Sequence, residues 1–105
     1  MKDGMPLQIE YKTKKLEKVC TNATEATKVY GQEMAAKIHQ RIDEIKAALS
    51  IEMMIQYRIG RCHPLKGNRK SQYAVDLVHP YRLIFEKKES EFQIVNITEI
   101  TDYHN

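Results

Sequence analysis

The first residues of the chain alternate between apolar and polar side chains. The segment Leu7–Tyr11 has the two-residue period of a half-buried β-strand. Thr13 then offers a side-chain oxygen that can cap a short helix over Lys14–Cys20. The pattern therefore predicts a strand followed by a helix.

A stripe of apolar residues spaced three and four apart follows, which is the period of an amphipathic helix. The stripe predicts a helix over residues 23–49, and its members are Ala26, Tyr30, Met34, Ile38, Ile42, Ile45 and Leu49. Thr21 or Asn22 marks its start, since Glu25 stands three residues after Asn22 as in a capping box. Gly31 weakens the helix locally, and we expect a bend there.

The hydrophobic period changes to two in the second half of the chain. Ile51–Tyr57 is apolar and predicts a short helical turn, and beyond Gly67 the alternation predicts three strands. These strands are Tyr73–Val78, Tyr81–Glu86 and Phe92–Ile100, joined by a His79-Pro80 turn and a Lys87–Ser90 hairpin loop. The order β-α-α-β-β-β predicts an α+β fold with an antiparallel meander sheet and two N-terminal helices packed on one face. We expect a single domain over residues 1–105, with residues 1–6 as a disordered leader.

The positive charge of the chain is concentrated in one window. The whole chain carries 17 Lys and Arg against 14 Asp and Glu, for a net charge of +3. From Met53 to Val75 there is no acidic residue, so the cations of this window give it a net charge of +5. They are Arg58, Arg61, Lys66, Arg69 and Lys70. Such a strip is typical of a surface that binds a polyanion, most often nucleic acid, although a solvated basic loop has the same composition.

Composition also restricts the class of protein. No apolar run approaches the roughly 18 residues of a membrane span, and no apolar segment follows the first residues as in a signal peptide. Cys20 and Cys62 stand far apart, which is typical of reduced cysteines in a cytoplasmic protein. A zinc site that used both cysteines and His63 is disfavoured, because structural zinc sites carry closely spaced ligand pairs. We therefore expect neither a metal nor another cofactor.

Three groups of residues could carry chemistry on a phosphate: the segment His63–Lys70, Arg82 within a strand, and the segment Asp102–His104. Metal-free cleavage of RNA needs a base for the 2′-OH proton, an acid for the leaving 5′-oxygen, and cations for the phosphoryl oxygens. Histidine serves as base or acid near neutral pH, and arginine binds phosphate with two parallel hydrogen bonds. Each group also has a simpler interpretation. His63 could be a loop residue, Arg82 could pair with Glu10 or Glu99, and the last segment could be a frayed chain end.

Several segments together resemble one family. They are Tyr30-Gly31, Arg61–Arg69, Tyr81–Phe85 and Ile97–His104, and the most specific motifs are His-x-Leu-Lys-Gly-x-Arg at 63–69 and the Asp-Tyr-His at 102–104. The chain resembles, from about Leu7 to His104, the HigB toxins of the RelE/ParE superfamily, some of which are labelled plasmid maintenance killer proteins. These are the toxin halves of bacterial toxin–antitoxin modules.

The resemblance implies a compact α+β fold, cleavage of mRNA on the ribosome, and inhibition by a HigA antitoxin. That antitoxin is a helix-turn-helix protein, through which the complex would bind operator DNA. The residues that match the active-site motifs are His63, Lys66, Arg82, Asp102, Tyr103 and His104. The expected phosphate contacts are Arg69 and the other cations of the strip, Arg58, Arg61 and Lys70. Either His63 or His104 would be the base and the other the acid. Asp102 would orient an imidazole, and Tyr103 would stack on a nucleobase or donate a hydrogen bond to the phosphate.

Two other functions are compatible with this pattern. A ParE-like protein-binding inhibitor of DNA gyrase would share the fold, because a fold does not determine a function. A non-catalytic RNA-binding domain is the third possibility. The pair of histidines beside the cationic strip favours the nuclease, since a protein that only binds its target has no need of an acid and a base.

Overall fold

The computed structural model describes residues 6–69, 71–88 and 93–102, and these residues form five strands and four helices. The strands are β1 Gln8–Tyr11, β2 His63–Pro64, β3 Gln72–Asp76, β4 Tyr81–Lys88 and β5 Ile94–Asp102. The helices are α1 Lys14–Thr21, α2 Ala23–Tyr30, α3 Gln32–Ala47 and α4 Ile51–Gln56, with 3₁₀ turns at Ile59–Arg61 and Gly67–Arg69. The predicted α+β class is confirmed. The expected leader lies outside the described residues except for Pro6, which is exposed.

The helices begin where the sequence places their caps. The Thr13 hydroxyl accepts a hydrogen bond from the Leu16 N–H at 3.1 Å, and the Asn22 side chain accepts from the N–H groups of Thr24 and Glu25 at 2.9 and 3.1 Å. Each cap satisfies N–H groups that have no partner inside the helix.

The expectation of two helices is wrong, because the predicted long helix is divided. Gly31 has φ 89° and ψ 167°, which lies outside the helical region, and it separates α2 from α3. A residue without a Cβ adopts this conformation at little cost, so the predicted bend is a complete break. The short segment after α3 forms the helix α4, as its apolar composition predicts.

The sheet has the strand order β1-β5-β4-β3-β2. Strands β3 to β5 form the predicted antiparallel meander, and the two-residue strand β2, which was not predicted, pairs antiparallel with β3 at its edge. The sheet is nevertheless mixed, because β1 pairs in parallel with β5, with Gln8 opposite Ile94. Parallel neighbours need a long crossover between them, and the helices supply part of that connection. The prediction of a wholly antiparallel sheet is therefore wrong at this edge.

The helices cover one face of the sheet. The core between them contains Ile38, Ile42, Ile45 and Met54 from the helices and Leu83, Phe85 and Ile97 from the strands. A second, much smaller cluster of Leu65, Ala74 and Ile84 forms on the opposite face, which we call the open face. Within the described residues, no helix combines the length and the apolar composition needed to cross a bilayer.

Candidate active site

A row of residues crosses the open face at the level of its small apolar cluster. His63 lies opposite Ala74, Ala74 opposite Ile84, and Ile84 opposite Glu99 in the strand register. Directly opposed residues of antiparallel strands project to the same face. The meander therefore places His63 and Glu99 on one face, with the buried Ala74 and Ile84 between them.

The next row contains the central charges of the face. Asp76 lies opposite Arg82, and Arg82 lies opposite Thr101. One carboxylate oxygen of Asp76 is 2.6 Å from Nε of Arg61, and the other is 3.6 Å from Nε of Arg82. The Arg61 side chain is 69% exposed, whereas those of Arg82 and Asp76 are only 26% and 30% exposed. A single carboxylate thus stands between two guanidinium groups.

The backbone of Asp76 is tied to the helix layer by Arg41. Nε of Arg41 donates a hydrogen bond to the Asp76 carbonyl oxygen at 2.6 Å, and its Nη1 lies 2.9 Å from a Glu44 carboxylate oxygen. Gly60 permits this approach: it has φ 58°, and a Cβ on it would stand 2.8 Å from Nε of Arg41. The site is therefore anchored through α3.

His63 is oriented by the backbone of the preceding turn. Its Nδ1 lies 2.8 Å from the Arg61 carbonyl oxygen. A carbonyl oxygen can only accept, so Nδ1 carries the proton in this contact, and Nε2 is the basic nitrogen of the neutral ring. Arg61 itself has φ 54°, an uncommon value for a residue with a side chain. The contact with the backbone thus fixes which edge of the imidazole faces away from the turn.

The other cations of the strip differ in their surroundings. Arg69 is half-buried; its Nη2 pairs with the Glu99 carboxylate, and its Nε donates to the Gln72 side chain at 2.9 Å. Lys66 and Arg58 are exposed. Arg58 lines a groove of about 510 Å³ together with Arg61 and His63.

A smaller cavity also has Arg61 in its lining. It has a volume of about 140 Å³, and its lining includes Arg61, Asp76, Arg82 and His79. His79 is exposed and belongs to the turn between β3 and β4. The sequence indicated only a turn at this position, so the presence of this imidazole beside the cavity was missed.

The last predicted group is described only in part. Asp102 is exposed and pairs in the register with Tyr81, one position from the Arg82–Thr101 pair. The Tyr81 side chain packs against the helix-side core, so the register directs Asp102 away from the open face that carries Arg82. Tyr103 and His104, like Lys70 of the cationic strip, lie outside the described residues.

The cationic strip is partly neutralised by acidic residues that lie outside its window in the sequence. Asp76 stands just after the window and Glu99 well beyond it, yet they pair with Arg61 and Arg69. The facing partner of Arg82 is Asp76, whereas Glu10, which the sequence offered as a partner, pairs with Lys88 at 2.8 Å. The signal for Asp76 was present: Asp76 and Arg82 are equidistant from His79, so a hairpin centred on that turn makes them opposite.

Neither cysteine is prepared for chemistry. Cys20 and Cys62 are buried free thiols, and burial raises the pKa of each to about 12. A thiol with such a pKa stays protonated at neutral pH and is a poor nucleophile. Among the described residues there is no group of three or more His, Cys, Asp or Glu side chains that could hold a metal ion.

Solved structures with the same architecture exist. The YoeB/ParE toxin from Agrobacterium tumefaciens has a TM-score of 0.64 and 13% identity, over 92% of this chain and 99% of that one. The chain has the fold of the YoeB/ParE toxins. The YoeB dimer from Staphylococcus aureus has a TM-score of 0.61 and 20% identity, and the YoeB-YefM complex from the same organism has 0.58 and 21%; each match covers 94% of this chain and 98% of the other.

This likeness shows the fold alone and gives no preference for the HigB type. No family model matches the sequence. No curated protein matches it either. The function must therefore be argued from the residues of the open face.

Proposed function

We propose that the protein is the toxin of a type II toxin–antitoxin module and that it cleaves mRNA by metal-free acid–base chemistry. The observation that carries the proposal is the open face itself, which brings an oriented imidazole, His63, together with the guanidinium groups of Arg61 and Arg82. One of the structures that share its fold is named a YoeB/ParE toxin, which agrees with this assignment.

The spacing of these groups suits a phosphodiester. The usual strand separation of about 4.8 Å and rise of about 3.4 Å per residue put the Cα atoms of His63 and Arg82 about 12 Å apart. Both side chains are long enough to reach a group held between them. A backbone phosphate there could contact Arg82 while the adjacent ribose lies against His63.

In the proposed reaction, Nε2 of His63 takes the proton of the 2′-OH, and the 2′-oxygen attacks the adjacent phosphorus. The bond to the 5′-oxygen breaks, and His104 gives that oxygen a proton. The products are a 2′,3′-cyclic phosphate and a 5′-OH end. Arg82 stabilises the charge on the phosphoryl oxygens, with Lys66 and Arg69 as further phosphate contacts. The roles of Asp102 and Tyr103 stay predictions.

The proposal extends to partners. One of the similar structures is a YoeB-YefM complex, which supports a protein partner for this chain as well. We propose a HigA-type helix-turn-helix antitoxin that masks the toxin in the cytoplasm and carries the complex to operator DNA. The mRNA would be cut on the ribosome.

The test is cleavage by purified variants. His63→Ala, His104→Ala and Arg82→Ala are each expected to lower single-turnover cleavage of ribosome-bound mRNA by about 10²- to 10⁴-fold, because each removes an acid, a base or a transition-state charge. Sequencing of the product ends should find the cyclic phosphate. The matched control is His39→Gln on α3, since the His39 ring contacts the Val19 carbonyl oxygen at 3.2 Å and glutamine can keep that hydrogen bond.

A DNA gyrase assay distinguishes the proposed nuclease from the ParE-like gyrase inhibitor. If the folded His63 and His104 variants still arrest growth and the wild type inhibits DNA supercoiling, the ParE-like inhibitor is the correct function. If the variants lose both cleavage and toxicity while His39→Gln keeps both, the nuclease stands.

A further inference from the structure

We propose that the Asp76 carboxylate holds, in the free protein, the two guanidinium groups that a substrate phosphate needs. Arg61 and Arg82 would then have to turn from Asp76 to the phosphate when RNA binds. The inference rests on the proposed function, since it takes the phosphate to be that of an RNA backbone.

The geometry at Asp76 is that of an anion shared by two guanidinium groups. Its two oxygens face Nε of Arg61 at 2.6 Å and Nε of Arg82 at 3.6 Å, so each oxygen has its own cation. Two non-bridging oxygens of a phosphate would meet the same two arginines in the same way, because carboxylate and phosphate offer guanidinium similar pairs of acceptors. The neighbouring cavity of about 140 Å³, which Arg61, Asp76 and Arg82 line, provides space for the incoming group.

Asp76 and Arg61 differ in their freedom to move. The backbone of Asp76 is held by the ladder to β4 and by the hydrogen bond from Arg41 to its carbonyl oxygen. The Arg61 side chain is 69% exposed and lies on a short 3₁₀ turn, so it can rotate at little cost. Half-exposed and exposed ion pairs are weak enough for a phosphodiester to compete with them. Asp76 therefore stays in place while the arginines exchange one anion for another.

A second pair on the same face has the same character. Arg69 pairs with Glu99 of β5. Glu99 lies opposite Ile84 of β4, which in turn lies opposite Ala74 of β3, so this ion pair is also on the open face. Both arginine–carboxylate contacts join residues that the sequence separates widely. An RNA strand that crosses the open face would meet Arg61, Arg69 and Arg82 already oriented by carboxylates.

The direct test is Asp76→Asn. Asparagine keeps the size of the side chain and an oxygen that can accept from Arg61, but it removes the competing negative charge. We expect the variant to bind an uncleavable RNA, with 2′-O-methyl groups throughout, about three- to tenfold more tightly than the wild type. In the wild type, the Asp76 carboxylate that the arginines release would take up a cation from solution as the phosphate binds. Asp76→Asn has no such carboxylate, so the slope of log K against log salt concentration should become steeper by up to about 0.7.

Two control variants remove the same charge elsewhere. Glu10 pairs with Lys88 at 2.8 Å and Glu52 with Lys87 at 3.3 Å, and neither lines a cavity of the site. Glu10→Gln and Glu52→Gln should raise the affinity much less than Asp76→Asn. Equal gains in all three would overturn the proposal in favour of a general effect of net charge. An unchanged or weaker affinity in a folded Asp76→Asn protein would also overturn it, because Asp76 would then support the arginines rather than compete with phosphate.

A measurement on the wild type covers the case in which the variant does not fold. The Nε–H resonance of Arg61 and the carboxyl carbon resonance of Asp76 should both shift as the 2′-O-methyl RNA is added, because their contact breaks. If RNA binds and neither resonance moves, the exchange does not occur.

Cleavage is scored separately from binding. Tighter binding by Asp76→Asn with no cleavage by the wild type would leave the exchange standing and remove the nuclease. Cleavage by the wild type with no gain in affinity for Asp76→Asn would leave the nuclease standing and remove the exchange at Asp76.

Discussion

Gly60→Ala tests whether the open face is anchored through the helix layer. Gly60 lies in the turn that carries Arg61, with φ 58°, and a Cβ on it would stand 2.8 Å from Nε and 3.0 Å from Cδ of Arg41. The Arg41 side chain is only 12% exposed and holds the Asp76 carbonyl oxygen at 2.6 Å. It can withdraw from the new methyl group only by giving up that hydrogen bond.

The expected loss of stability has two parts. The left-handed conformation costs an alanine roughly 1–2 kcal/mol relative to glycine. A hydrogen bond from a charged donor contributes about 1.5–3 kcal/mol, and its loss would leave the carbonyl oxygen of Asp76 without that donor. Together these give about 2.5–5 kcal/mol of the roughly 5–15 kcal/mol that holds a small domain folded. At about 4 °C per kcal/mol for a chain of this size, the melting temperature should fall by roughly 10–20 °C.

Gly67→Ala is the matched control, because Gly67 has φ 69° but nothing within 4 Å of an added Cβ. It should show only the conformational part, about 1–2 kcal/mol. Urea denaturation followed by circular dichroism measures both losses. In an Arg41→Ala background the cost of Gly60→Ala should fall to that of Gly67→Ala. Equal losses for the two glycine variants in the wild-type background would refute the reasoning about Arg41.

Two further predictions concern the thiols and the exposed Arg58 at the start of the cationic strip. Burial raises the pKa of Cys20 and Cys62 from 9.0 to about 12, so iodoacetamide at pH 8 should label the native protein slowly and the urea-unfolded chain rapidly. The contribution of the neutral thiols to the free energy of unfolding is fully present below about pH 9, and it should be lost as pH rises towards 12. Arg58→Glu, at an exposed position on the larger groove, should slow association with RNA or antitoxin and weaken its salt dependence without lowering the melting temperature. Arg61→Glu should lower the melting temperature as well, since it sets two carboxylates together at Asp76. Rapid labelling of native Cys62, or an unchanged association rate for Arg58→Glu, would count against the respective reasoning.

The elements of the fold could be predicted because they depend on local sequence. The caps at Thr13 and Asn22 act through residues two or three positions away, and β1, β3, β4 and β5 follow from alternation, whereas the two-residue β2 does not. The parallel pairing of β1 with β5 could not be predicted in this way, since the alternation of a strand does not reveal its neighbour's direction. The break at Gly31 was visible as a weak point, but a propensity does not reveal the φ of 89° that makes it complete.

The candidate site was predictable in its residue types and not in its pairing. The motif at residues 63–69 and Arg82 pointed to the open face, and the meander brings His63 and Arg82 there. The roles of Asp76 and Glu99 required the register, because each meets an arginine from a different element. Arg41 was hidden for a further reason: it lies on a helix, and only the tertiary structure directs it to the Asp76 carbonyl oxygen.

A cationic stretch of sequence is therefore a poor measure of a cationic surface. The window from Met53 to Val75 carries no acid, yet the fold sets Asp76 and Glu99 against its arginines. Net charge on the open face is thus lower than the sequence suggests, and attraction at long range falls to exposed cations such as Arg58 and Lys66. The paired arginines gain something different. Their guanidinium groups are already held at the open face before a phosphate arrives, so less side-chain freedom is lost on binding, at the expense of a competing carboxylate. Such a face favours a ligand with several phosphates in a row over an isolated anion. Each arginine that contacts a phosphate gives up its ion pair with a carboxylate, and several phosphate contacts together are needed to offset these losses.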